Sequence, residues 1–351
     1  MQEKANILKK QPRLYTIEFL KVFFMFFIIL GHCMGQYPDL KNSVLAFFHT
    51  KSMQTWFGVE FFFIIGGFFL YRKVLSTKNI FGLIKKIYVR LLPALLFVFL
   101  LCVASGTNRI YQFPAILSLT TGLSIPGEVT GWGDWYVGVY FWCSLLFIGL
   151  FSNNIKRGFF WTAVLSYFAL CLEFNAPNPG FVKTYYTVIG SEILRAVYSM
   201  GIGAVAAYLA EKVDIPRKTG SLVFFTVIEA GCFVLVFNYI ARASHNHLNL
   251  LEMEVVFAIL LISVANSLGY ISGMLNKISK VQLVSRYTYA IFLGHIPFIK
   301  YLSKHQNWGL DGLTCYLIVC MGGALIGVFE YHVVEQKIVP WIGQYFQGDK
   351  E

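Results

Sequence analysis

Ten apolar runs, bounded by charged or turn-forming residues, most constrain what this chain can fold into. They cover roughly 15–34, 55–71, 91–105, 135–151, 159–174, 188–210, 221–241, 252–272, 287–303 and 313–335. A helix needs about 20 mostly apolar residues to cross a hydrocarbon core about 30 Å thick. Hydrocarbon offers no partner to open backbone groups, so runs of this length read as membrane-spanning helices. The expected fold is all-α, a polytopic membrane protein with about ten transmembrane helices. The third run is short and begins near Pro93, which leaves room for a helix start several residues earlier. The stretch 112–126 is apolar but too short and Pro-flanked to span, and reads as a re-entrant or interfacial piece. No internal repeat or low-complexity linker divides the chain, so residues 1–351 read as one membrane domain.

Composition agrees with this pattern. Hydrophobic residues make up 57% of the chain and charged residues only 13%, against about 25% charged in an average soluble domain. The mean hydropathy is +0.61. These values exclude a water-soluble globular enzyme, a disordered chain and a disulfide-stapled secreted domain. Of the seven cysteines, Cys102, Cys143, Cys171, Cys232, Cys315 and Cys320 fall inside apolar runs, with no CxxC or zinc-ligand spacing. They read as small apolar packing groups, and no metal site is expected. Leu30-Gly31-His32-Cys33 puts a cysteine after an apolar run, as a lipoprotein cleavage site does. His32 is not the small residue such a site needs, so the first run is expected to persist as a helix.

The formal net charge of +11 is distributed by side. Counted over alternating loops, 20 Lys and Arg fall on one side and seven on the other, with Lys21 and Arg195 inside runs. By the positive-inside rule both termini are expected in the cytoplasm.

Ionisable residues at bilayer depth cost a few kcal/mol and usually face the protein interior. The first run carries Glu18, Lys21 and His32. Eleven residues separate Lys21 from His32, which puts them within about 20° of one helix face and about 16 Å apart along the axis. Glu18 sits one turn before Lys21, near the same stripe. Glu60 lies on the second run, Glu192 and Arg195 lie three apart on the sixth and could pair, and Glu254 opens the eighth. His295 lies midway along the ninth, and Trp135 and Tyr136 open the fourth. No Walker-type loop, HExxH pair, GxSxG elbow or paired-carboxylate motif is present. These features alone do not separate a carrier from an intramembrane enzyme, although the glycines do not fall at matched positions in two halves, as inverted-repeat carriers favour.

Taken together, the motifs resemble the acyltransferase-3 family of bacterial integral membrane acyltransferases. Glu18, Lys21 and His32 fall on the acidic, basic and histidine positions of that family's first helix. Glu60, Phe62, Phe63, Gly67 and Phe68 match its second-helix pattern, Arg90-Leu91-Leu92-Pro93 its basic-x-x-Pro sequence, and Trp135-Tyr136-Val137 its fourth-helix start. Tyr289 through Pro297 is similar to its Tyr-x-x-Tyr/Phe-Leu-x-His-x-Pro segment. There are departures. Lys21 stands where Arg is commoner, Gly66 where Ser is usual, and Ile87 at the first of two usual arginines.

The resemblance implies ten spans in the bacterial cytoplasmic (inner) membrane. It also implies O-acylation of a cell-envelope or secreted glycan, or another hydroxyl-bearing acceptor, with acetyl-CoA or another acyl-CoA as co-substrate. It implies His32 as the general base, a role neutral imidazole suits. Lys21 with Arg72, Lys73, Lys86 and Arg90 would hold the phosphates of coenzyme A, with Glu18 orienting Lys21. Glu60, Trp135, Glu192, Arg195 and His295 would line the acceptor side. The alternative is a transporter or flippase for a lipid-linked or small polar solute, its buried charges forming the pathway. Neither reading involves nucleic acid.

Overall fold

An apolar run closes into a helix because each backbone N–H and C=O then finds its partner within the run. The computed structural model of this protein describes residues 14–50, 53–123, 133–174, 190–216, 218–242 and 247–341. Among the described residues every regular element is helical, and ten helices have 17 residues or more. They are α1 (Tyr15–Gln36), α2 (Phe57–Ser76), α3 (Ile80–Ala104), α4 (Asp134–Asn153), α5 (Ile155–Phe174), α6 (Ser191–Lys212), α7 (Thr219–Arg242), α8 (His247–Asn266), α9 (Thr288–Lys304) and α10 (Gly312–Glu330). Past Glu330, α10 widens into a π-helical stretch, Tyr331–Ile338.

Eight of the ten are long and apolar enough to cross a membrane. The others are α2, whose 20 residues include Glu60, Arg72 and Lys73, and α9, which has only 17 residues. The protein is an all-helical, multi-pass membrane protein.

Several boundaries differ from the hydropathy reading. The third helix starts at Ile80, not near 91, and contains Pro93. Lys85, Lys86 and Arg90 in its first half hide it from an apolar count. Its start is set by Asn79, whose side chain accepts from Gly82 N–H at 2.7 Å, which satisfies one open donor of the first turn. The eighth ends at Asn266 rather than 272, because Ser267 takes the left-handed conformation (φ 48°) and a separate short helix, Tyr270–Leu275, follows. Residues Ile110–Gln112 and Phe113–Leu117 form two short helical pieces of the 112–126 stretch. Its end lies outside the described residues. A ten-residue helix, Pro38–Phe47, follows α1 with proline at its first position.

Two glycine-mediated contacts organise the bundle. The α2–α6 and α9–α10 pairs share the most extensive packing. A methyl on Gly67 would sit 1.9 Å from the Met200 carbonyl oxygen, and one on Gly203 1.9 Å from the Ile64 carbonyl oxygen. In the other pair, Gly294 opposes the Gly323 carbonyl and Gly323 opposes the His295 backbone. Small residues let helix backbones approach closely where the apolar solvent supplies little drive of its own. α1 packs against α2, α9 and α10, and Glu18, Lys21 and His32 of its polar stripe are all half-buried.

Buried carboxylates finish the scaffold. Glu229 on α7 accepts from Gly269 N–H at 3.2 Å, Ser272 N–H at 2.9 Å, Ser263 Oγ at 2.7 Å and Ser272 Oγ at 2.5 Å. A carboxylate at the start of helix Tyr270–Leu275 satisfies donors the helix itself leaves open. Asn276, just after that helix, accepts from Thr16 N–H at 2.8 Å and Thr16 Oγ1 at 2.9 Å, and so ties down the start of α1.

Candidate active site

The stripe on α1 carries a charged pair at one end and an imidazole at the other. Lys21 Nζ lies 2.7 Å from Glu18 Oε2 across one turn. Further along, the half-buried His32 ring meets His295 of α9, which is fully buried. His32 Nδ1 and His295 Nε2 are 2.9 Å apart, with ring centroids 5.1 Å apart and planes within 19°. The other nitrogen of His295, Nδ1, is hydrogen-bonded to the Phe292 carbonyl oxygen of its own helix.

Sequence reading placed His32 and His295 on different functional sides; the structure brings them into direct contact. The surrounding packing holds both. A methyl on Gly31 would sit 1.9 Å from Thr55 Oγ1, and one on Gly323 would lie 3.1 Å from His295 N. The backbone at each histidine is therefore closely packed, against Thr55 beside His32 and against Gly323 at His295.

A run of aromatic rings leads from this dyad to a buried ion pair. Phe292 lies 5.6 Å from His295 and 6.0 Å from Tyr136, Tyr136 lies 4.7 Å from Phe63, and Phe63 lies 6.2 Å from Trp135 (ring centroids). Trp135 and Trp56 both face the Arg195 guanidinium, at 5.8 Å and 5.4 Å. Arg195 Nε reaches Glu60 Oε1 at 2.7 Å, with side-chain exposures of 4% and 0%. Arg195 thus pairs with a glutamate from another helix, a contact the three-residue spacing to Glu192 did not anticipate.

Three further groups collect there. Ser199, one turn after Arg195, donates to Glu254 Oε1 at 2.5 Å, and Ser191 donates to Glu173 Oε1 at 3.1 Å. Trp56 donates to Gln54 at 2.7 Å. Glu173, Ser199 and Trp56 were missed in the sequence. Glu173 offered a signal, a carboxylate inside an apolar run, whereas Trp56, at the start of the second run, offered none. Glu192 sits half-buried in the first turn of α6.

The cations separate into two groups. Lys73 lies within electrostatic reach of both Lys21 and Arg90, so three helices contribute to one basic cluster. Arg90 in turn lies within electrostatic reach of Tyr136, Tyr140 and Tyr289. Tyr289 donates to the Leu91 carbonyl at 2.9 Å and pins α9 to α3 at this level. Arg72 faces elsewhere. It stacks over Phe68 at 4.4 Å and lies 3.7 Å from Glu211 of α6. Lys86 is exposed on α3. Among the described residues, no group of three or more His, Cys, Asp or Glu side chains is arranged to hold a metal ion.

A histidine against a second histidine and a basic cluster at the far end of the same helix thus share one multi-pass helical frame. A family model described as an acyltransferase domain matches residues 14–329, from the start of α1 to the last turn of α10. The chain belongs to the acyltransferase-3 family. No curated protein and no solved structure matches the chain. As a family member the protein is a membrane acyltransferase, acting on an acyl donor and an acceptor within a lipid bilayer. The acyltransferase-3 match runs through every residue of the dyad, the basic cluster and the aromatic run.

Proposed function

We propose that this protein moves an acetyl or other short acyl group from cytoplasmic acyl-CoA to a hydroxyl of a cell-envelope or secreted glycan, with His32 as general base. The observation that carries this reading is the layout of α1. Lys21, in the Lys73–Arg90 cluster, and His32, against His295, occupy one helix face about 16 Å apart. That span is comparable to the extended pantetheine arm of coenzyme A. The basic cluster would hold the phosphates, and the arm would thread past Tyr289 and Tyr136 to present its thioester beside His32. Ten spans with both termini in the cytoplasm, as in a bacterial inner membrane, would put the cluster on the donor side and His32 towards the outer leaflet.

In the proposed reaction, His32 takes the proton of the acceptor hydroxyl as that oxygen attacks the thioester carbonyl carbon. The carbon–sulfur bond breaks, the new ester leaves, and His32 returns its proton to the departing thiolate. Proton transfer by a positioned imidazole contributes about 10²–10⁴-fold in rate. Arg195, Glu60, Glu192 and Trp135 would orient the acceptor, since carboxylates accept from sugar hydroxyls and indole faces stack on sugar rings.

The test is release of coenzyme A thiol from a panel of acyl-CoAs in oriented vesicles, with and without envelope glycan. Thiol release that needs glycan, with the donor only on the Lys21 face, is the expected result. Solute movement with no acyl-CoA consumed would place the protein among transporters instead.

A further inference from the structure

The Phe292 carbonyl, His295 and His32 form a hydrogen-bonded series whose proton positions follow from one fact: a carbonyl oxygen only accepts. His295 Nδ1 is bonded to the Phe292 oxygen, so Nδ1 carries the proton. A neutral imidazole holds one ring proton, so His295 Nε2 presents its lone pair. His32 Nδ1 lies 2.9 Å from that lone pair and must be the donor. The lone pair of His32 then sits on Nε2, the nitrogen farther from His295.

We infer that His295 is a positioning residue that fixes His32 in the Nδ1–H tautomer and so selects Nε2 as its basic nitrogen. This inference rests on the acyltransferase reading for its consequence, but not for its geometry. Free histidine in water favours the Nε2–H form, so the tautomer required here is the less common one and needs a partner to hold it. The partner that orients a catalytic imidazole is commonly a carboxylate. A neutral imidazole does the same with no buried negative charge, which hydrocarbon surroundings penalise heavily.

The series also accounts for the movement of charge. When Nε2 takes the acceptor's proton, His32 becomes imidazolium and its Nδ1–H still points at the lone pair of His295. The return of that proton to the thiolate restores the starting state. His295 keeps its own proton on Nδ1 throughout, because the Phe292 oxygen has no proton to exchange. The His295 backbone and Cβ lie against Gly323, and its neighbour Gly294 against the Gly323 carbonyl, which fixes where the ring is presented, while its bond to the Phe292 oxygen sets which nitrogen faces His32.

The decisive measurement is nitrogen NMR of the full chain in lipid, labelled with ¹⁵N-imidazole histidine and assigned with His32→Gln and His295→Gln variants. The expected spectrum has His32 protonated at Nδ1 and bare at Nε2, with a coupling across the hydrogen bond to His295 Nε2. A wild-type His32 protonated at Nε2 overturns the inference. A second readout is thiol release from acetyl-CoA in membranes that retain their own glycan. His295→Leu lowers kcat by about 10²- to 10⁴-fold, the range seen when a catalytic histidine loses its orienting partner, and leaves KM for acetyl-CoA within about twofold. His295→Gln restores an acceptor near Nε2 and recovers a large part of that loss. Equal losses in Leu and Gln variants that remain folded, with KM raised alike, would mean that His295 only packs. The spectra need no substrate, so they decide the inference even where the wrong donor leaves every sample inactive.

Discussion

Arg195 Nε and Glu60 Oε1 meet at 2.7 Å in a site closed to solvent and tie α6 to α2. The two residues are 135 positions apart in the chain. The pair sits near the starts of both helices, beside the Ser199–Glu254 hydrogen bond and facing two indole rings.

Breaking this pair from one side strands the other charge. Glu60→Ala or Arg195→Ala should each destabilise the protein by about 3–5 kcal/mol, the cost of leaving an uncompensated buried charge. The double replacement Glu60→Leu with Arg195→Met should cost less than either single change. Thermal unfolding in detergent, read as a double-mutant cycle, checks this. Additive losses would contradict it.

The same helix pair depends on two missing side chains. Gly67→Ala and Gly203→Ala place a methyl 1.9 Å from a facing carbonyl oxygen, and backbone cannot move aside as a flexible side chain does. Each should cost about 1–3 kcal/mol or more by overpacking. Gly149→Ala in α4 is the control, because nothing lies within 4 Å of its added methyl. Melting temperatures of the three variants, compared in one detergent, distinguish close approach from a general intolerance of alanine.

The split between cations predicts a split in kinetics. Lys21→Ala should raise KM for acyl-CoA by about 10- to 100-fold, the worth of one charge-assisted hydrogen bond, with kcat changed much less. Lys21→Arg should retain the charge and much of the affinity. Arg72→Ala should leave KM within about twofold, because Arg72 is engaged with Phe68 and Glu211. A large KM effect at Arg72 with none at Lys21 would reverse the placement of the donor.

How much of this was legible in the sequence depended on how local each feature is. Helix identity and most spans followed from apolar run length, which is a property of contiguous residues. The α3 start was obscured because Lys85, Lys86 and Arg90 make half a long helix look like a loop. The α1 stripe was readable, since helical periodicity alone puts Lys21 and His32 on one face. Pairing between helices was not. Nothing in the spacing of His32 and His295, 263 residues apart, says that their rings meet, and the nearest glutamate to Arg195 in sequence drew attention away from Glu60. Glu229 was passed over for the same reason, as its partners lie 34 to 43 residues downstream.

The most direct test of the account is transfer of labelled acetyl from acetyl-CoA into envelope glycan, in membranes carrying either the native protein or His32→Ala at matched folded amounts. The account predicts incorporation with the native protein and a loss of about 10²-fold or more in the variant. Full incorporation by His32→Ala would contradict it.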